Sequence, residues 1–187
     1  NVRAMKIEVL PPSVNHSFEG FSIEQSSIRF GLKAIKNVGT TLIASIVRTR
    51  RDGFRSLDDF LNRLSIGVLN KRAIESLIKA GALDGLGETR RSMMLRYETI
   101  LDGIQRGSRV NAAGQLSLFD EVEPLRSGPR TSLPEYDEEQ LLEMEKEVLG
   151  MYFSGHPLSR YAELRQKFHC RDFVELTSLD ESNDNII

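Results

Sequence analysis

The chain has 187 residues, 40% hydrophobic, 28% charged and 7% aromatic, with no Trp and a formal net charge of −2. That is globular composition, which argues against wholesale disorder, a collagen-like repeat or a membrane protein; no apolar run approaches the roughly 20 residues that span a bilayer, and no signal peptide opens the chain. One cysteine, Cys170, excludes an internal disulfide and a thiolate zinc cluster, and the expected compartment is the cytoplasm.

The charge is divided. Residues 1–110 carry 18 Lys/Arg against 11 Asp/Glu, and residues 111–187 carry 7 against 16. A basic half followed by an acidic half says more about partners than about fold. The first residue is Asn, and the chain reads as a piece of something larger.

In chain order, Lys6-Ile7-Glu8-Val9-Leu10 alternates as a half-buried strand does until Pro11-Pro12 stops it, and Ile28-Arg29-Phe30-Gly31-Leu32 alternates again. From about residue 32 the period becomes helical. Leu42, Ile43, Ile46 and Val47 form one apolar face, with Arg48, Arg50 and Arg51 at its end and Gly53 after it. Ser56 with Asp59 suggests a capping box opening a helix striped by Leu57, Phe60, Leu61 and Leu64. Asn70 caps the next, with Ile74, Leu77 and Ile78 inside and Gly81 as its stop. Thr89 starts a longer helix carrying Met93, Met94, Tyr97, Ile100, Leu101 and Ile104, expected to end near Gly107.

Residues 107–135 lose the helical period and are punctuated by Gly and Pro, as an extended linker is. Asp137, Glu138 and Glu139 then open a helix with Leu141, Met144 and Val148 inside and Gly150 as its end. Gly155-His156-Pro157 reads as a turn, followed by a short helix with Leu158, Tyr161, Leu164 and Phe168. The expected fold is therefore mainly α with a small β element at the N-terminus.

Two places share the layout of a helix-hairpin-helix. Ile35 leads through Lys36-Asn37-Val38-Gly39-Thr40-Thr41 into a helix, and Leu77-Ile78 leads through Gly81 and Asp84-Gly85-Leu86-Gly87 to Thr89 and another. Such bends leave backbone N–H groups bare at the positive end of the following helix, a nest that holds a backbone phosphate without reading bases. Lys36 at the first site, and Arg90 and Arg91 at the second, would add long-range attraction. Asn37 stands where the first glycine is usual, and Asn tolerates left-handed φ better than most residues. At the second, Asp84 and Glu88 would repel a phosphate, so the first is expected to make the contact and the second to give shape.

The linker holds one apolar island, Gln115-Leu116-Ser117-Leu118-Phe119, which either folds back on its own chain or buries on a partner. His16, His156, His169 and Cys170 lack the companions of a metal site, and Asp58-Asp59 suits a helix N-terminus better than a catalytic pair. There is no phosphate-binding loop ending in Gly-Lys-Ser/Thr, no Gly-x-Ser-x-Gly and no His-Glu-x-x-His.

Four blocks in order carry a family resemblance: Val9 to Asn15 (VLPPSVN), Ile28 to Gly39 (IRFGLKAIKNVG), Asn70-Lys71-Arg72-Ala73 to Ala80-Gly81-Ala82-Leu83-Asp84, and Glu147 to Leu158 (EVLGMYFSGHPL). Across roughly residues 6–170 the chain resembles the bacterial DNA polymerase III alpha subunits, the family C replicative polymerases. The resemblance implies a fragment: the end of the fingers (1–34), a tandem helix-hairpin-helix DNA-binding region (35–107), a flexible linker with a clamp-binding peptide (108–135), and a helical connector (136–187) toward an oligonucleotide-binding fold. It implies duplex contact at Lys36, Asn37, Val38, Gly39, Thr40, Thr41, Lys71, Arg72, Gly85, Gly87, Arg90 and Arg91. Gln115, Leu116, Ser117, Leu118 and Phe119 are similar to the family's internal peptide for the sliding clamp, the beta subunit. The palm aspartates that bind Mg are expected upstream, so the fragment is expected to have no catalysis, metal or cofactor of its own. Its parent would be a Mg-dependent DNA-directed DNA polymerase, a nucleotidyltransferase working with other replicase subunits and no membrane. The alternatives are a helix-hairpin-helix module of a DNA-repair enzyme, or a structural adaptor without a nucleic-acid role.

Overall fold

The structure, a computed structural model, describes residues 7–112, 133–158, 161 and 167, side chains of 108–112 excepted. It divides into two compact units, residues 1–154 and 155–187. The described part of the first unit holds five helices and one small sheet: β1 (Val9–Leu10), β2 (Ser22–Glu24), β3 (Ser27–Arg29), α1 (Thr40–Thr49), α2 (Leu57–Arg63), α3 (Lys71–Lys79), α4 (Arg90–Ala112) and α5 (Glu138–Leu149). The mainly α architecture with β at the front is as the periodicity predicts.

The sheet has strand order β1-β3-β2. β1 runs parallel to β3, Val9 opposite Ile28, and β2 pairs antiparallel with β3, Ile23 opposite Ile28. β2 is absent from the sequence reading because its residues lack an apolar alternation: Ile23 points to solvent, 84% exposed. The turn between β2 and β3 relies on Gln25 at φ 56°. Beyond the sheet, a Cβ on Gly31 would run into the backbone of Glu19 and Gly20, so close chain approach requires glycine there.

Helix starts obey local capping chemistry. Ser56 Oγ accepts from Asp59 N at 3.1 Å and Asn70 Oδ1 from Ala73 N at 2.9 Å. The box at Ser56 is only half made, because the Asp59 carboxylate turns to Arg55 N (3.0 Å) and Arg63 (3.3 Å). Asp137 and Gln140 complete a reciprocal box at α5. α4 departs from expectation, passing through Gly103 and Gly107 to Ala112. The propensity cost of a helical glycine is about 1 kcal/mol, small beside the burial of Met93, Tyr97 and Leu101 on the same helix.

The core is one cluster: Leu42, Ile43 and Ile46 of α1, Leu57, Phe60 and Leu61 of α2, Ile74, Leu77 and Ile78 of α3, with Met93, Tyr97 and Leu101 of α4. α4 lies against α2 and α3, and α5 against α3. The buried face of α5 is Leu142, Glu145, Val148 and Leu149, rotated from the expected Leu141, Met144 and Val148. Residues 133–154 thus belong with the hairpins. Among the described residues no helix is long and apolar enough to cross a membrane.

Candidate nucleic-acid interface

The first hairpin is built by a short 3-10 turn, Leu32–Ala34, followed by Ile35 and the Lys36-Asn37 bend. Ile35 (2% exposed) and Val38 (7%) are anchored in the core, so Val38 offers a partner only its backbone. Asn37 takes φ +65°, the left-handed conformation for which Asn substitutes for glycine, and its Nδ2 donates to Ser76 Oγ at 3.1 Å. Gly39 is the N-cap of α1 with extended φ −82°, ψ 156°, and no side chain caps the helix. The first intrahelical bond is Ile43 N to Gly39 O (3.1 Å), leaving the N–H groups of Thr40, Thr41 and Leu42 without helical acceptors. Gly39, Thr40 and Thr41 are exposed, and a Cβ at Gly39 would meet nothing within 4 Å. This end of α1 is an open set of donors at the positive pole of a ten-residue helix.

Lys36, exposed, has a different job from the one expected of it. Its backbone N donates to Val148 O (3.0 Å) and its Nζ to Glu147 O (2.7 Å), holding the last carbonyls of α5. Its charge stays at the surface, while its geometry is set by α5.

The second hairpin has the expected bend but a different helix end. Gly81 (φ +73°) ends α3, Leu86 is buried, and Gly87 takes φ +78°; Gly85 and Gly87 are exposed. The amides of α4, however, are already used by the chain itself. Arg90 N donates to Glu135 Oε2 at 2.8 Å and Arg91 N to Glu135 Oε1 at 3.2 Å, so one carboxylate bridges both; Ser92 N donates to Thr89 Oγ1 at 3.2 Å. An internal anion thus sits where a phosphate would.

Arg90 is a correction to the sequence reading. It is 6% exposed, not a surface cation. Its guanidinium bonds Asp84 (2.8 and 2.9 Å), Lys79 O (3.2 Å) and Glu145 Oε1 (3.3 Å). Burial works against its charge, but the bonds and charges of Asp84 and Glu145 prevail and raise its pKa further. Glu145, 1% exposed, also accepts from Phe153 N and Ser154 N, each at 2.8 Å. Arg90 therefore locks α5 to the second bend, and Asp84, expected to repel phosphate, is part of that lock. Glu88 likewise pairs with Arg96, which reaches Asp58 at 2.9 Å.

The remaining expected contacts are dispersed. Arg91 is exposed, its guanidinium 5.9 Å from the Tyr136 ring centroid. Lys71 Nζ lies 3.0 Å from Asp102 and 3.3 Å from Glu98, whose bonds raise its pKa. Arg72 is exposed at the start of α3. Gln115, Leu116, Ser117, Leu118 and Phe119 lie outside the described residues, as do His169 and Cys170. Among the described residues no group of three or more His, Cys, Asp or Glu could hold a metal ion. The sequence reading missed Glu135 and Glu145, and neither carried a signal: each acts on a helix more than 40 residues away.

A family model described as "Helix-hairpin-helix motif" matches residues 6–93, which include both bends. The chain is 43% identical over 172 residues to the DNA polymerase III subunit alpha of Thermus aquaticus, covering 91% of this chain and 14% of that protein. It is 40% identical over 185 residues to the protein of the same name from Saccharopolyspora erythraea, covering 93% and 15%. The Campylobacter jejuni protein of that name is 36% identical over 193 residues, covering 98% and 16%. The chain therefore spans about one sixth or less of the length of these relatives.

Proposed function

Because this chain belongs to the DNA polymerase III alpha-subunit family, as a segment of it, we propose that it is the part of such a polymerase that holds duplex DNA by its backbone. The observation that carries this reading is the uncapped start of α1, where Gly39, Thr40 and Thr41 present bare amides at the surface. The second hairpin supports the first rather than duplicating it, since Glu135 occupies its helix amides. Contact by amides and long-range charge is indifferent to sequence, which suits an enzyme that must advance along any template. Arg72 and Arg91 add to the field, while Lys71, paired with Asp102 and Glu98, Lys36, tied to α5, and Arg90 serve the fold.

The polymerase activity belongs, in this reading, to the longer protein, whose Mg would be held by aspartates elsewhere in it. Gln115-Leu116-Ser117-Leu118-Phe119 is proposed as the peptide that binds the sliding clamp, with Leu118 and Phe119 entering an apolar pocket. Replacing both by Ala abolishes clamp binding if so, and unchanged binding refutes that assignment.

Gly39→Asp tests the phosphate contact. An Asp in place of Gly at an N-cap stabilises a helix by roughly a few tenths of a kcal/mol, while placing a negative charge on the amides that a phosphate needs. The variant is expected to unfold no earlier than the wild type yet to bind duplex at least tenfold more weakly, while Gly39→Ala binds nearly as well. Equal affinity of Gly39→Asp and wild type would refute the reading.

A further inference from the structure

The first bend is held in place by elements from elsewhere in the sequence. Asn37 sits at φ +65°, a conformation uncommon for a residue with a Cβ, which persists where the surroundings impose it. Two helices impose it here. From α3, Ser76 Oγ accepts Asn37 Nδ2 at 3.1 Å. From α5, Val148 O accepts Lys36 N at 3.0 Å and Glu147 O accepts Lys36 Nζ at 2.7 Å.

α5 is in turn pinned by the second bend. Glu145 Oε1 accepts from the Arg90 guanidinium, which also holds Asp84, and Glu147 Oε2 lies 2.9 Å from Lys79 Nζ at the end of α3. All of these contacts fall on residues 145–148, about one helical turn. That turn is tied to Lys36 across 111 positions of sequence and to Arg90 across 55. Glu145 and Ser76, at 1% and 3% exposure, are too deep to touch a partner themselves. Only Val38 and Gly39 separate Asn37 from Thr40, the first residue of α1, so a shift of the bend carries to the open amides.

We infer that the turn of α5 at residues 145–148, fixed by Arg90, braces the first bend through Lys36, so that Glu145 and Ser76 are positioning residues for the open amides of α1. This rests on the assignment of those amides as a phosphate site. Donors aimed at a ligand work when held within about 0.5 Å of the productive geometry by packing and by bonds behind them. The second hairpin, whose own helix amides Glu135 fills, then acts on a bound strand through α5 rather than by contact.

The experiment measures duplex affinity of the full chain across a salt series, corrected for the fraction folded as read by urea titration in the same buffer. The variants are Glu145→Leu, Ser76→Ala, Gly39→Asp and Leu101→Ala, the last a fully buried α4 residue outside the brace. Glu145→Leu is expected to weaken binding per folded chain about tenfold, the loss of one hydrogen bond to a charged group, and Ser76→Ala about threefold. Both should keep the wild-type salt slope, because no cation leaves the surface. Leu101→Ala should bind per folded chain as the wild type does, however far its urea midpoint falls. Wild-type affinity per folded chain for Glu145→Leu or Ser76→Ala, a lowered slope in either, or an equal loss in Leu101→Ala overturns the inference. If Glu145→Leu does not fold, Ser76→Ala and Leu101→Ala decide by the same readings. Weak binding by Gly39→Asp beside wild-type binding by Glu145→Leu and Ser76→Ala refutes the brace alone; normal binding by Gly39→Asp removes the amide site and the brace with it.

Discussion

Glu145→Leu isolates the lock between α5 and the second hairpin. In the native structure this carboxylate is 1% exposed and receives Arg90 at 3.3 Å and two backbone amides at 2.8 Å. Removing one member of a buried ion pair typically costs about 3–5 kcal/mol, because the other charge stays desolvated. Arg90 keeps Asp84 at 2.8 Å and Lys79 O at 3.2 Å, so the expected loss is at the lower end, about 3 kcal/mol. Equilibrium unfolding in urea reads this directly: with a slope of about 2 kcal/mol per molar, the midpoint falls by about 1.5 M. The double variant Arg90→Met/Glu145→Leu removes both charges and leaves Asp84, itself half exposed, to water. It should be more stable than the sum of the single losses predicts, by about 1–3 kcal/mol. It should also keep the wild-type salt slope for duplex, since Arg90 touches no phosphate in this reading. A loss under 1 kcal/mol for Glu145→Leu, or strict additivity in the double variant, would refute the lock; a reduced slope in the double variant would return Arg90 to the DNA surface.

The same geometry sets two further outcomes. Glu135→Ala uncovers Arg90 N and Arg91 N at the start of α4 and should cost about 1 kcal/mol in urea unfolding, with Glu135→Gln costing less; no change in either would mean the carboxylate is idle there. Burial and the hydrogen bond to Glu98 push the Tyr97 phenol up from 10.0 to about 12. The folded state therefore holds this proton more tightly than the unfolded state. The stabilisation is complete below pH 10 and is lost as pH rises through about 12, a change of roughly 2–3 kcal/mol. Tyr97→Phe should flatten that alkaline limb of stability against pH, and an unaltered limb would refute the assignment.

What could be read from sequence was what short range determines. Ser56, Asn70 and Asp137 each cap a helix by a bond to the residue three positions on, and Asn37, Gly81 and Gly87 take the left-handed φ that their chemistry favours. The apolar stripes of α1, α2 and α3 are buried as their spacing predicts, and so both hairpins were legible as shapes. Their availability was not. Whether the amides at a helix start stay open depends on what the rest of the chain brings to them. α1 begins at a glycine that no side chain caps, and α4 at a pair of amides bridged by a carboxylate that arrives from 45 residues away. Arg90 and Lys36 show the same division. Both read as surface cations from their neighbours in sequence, yet one is buried between Asp84 and Glu145 and the other is tied to the carbonyls of α5. A charge counts for a partner only when its own fold leaves it unsatisfied, and only long-range packing makes that choice: it withdrew Arg90 and left Arg72 and Arg91 at the surface.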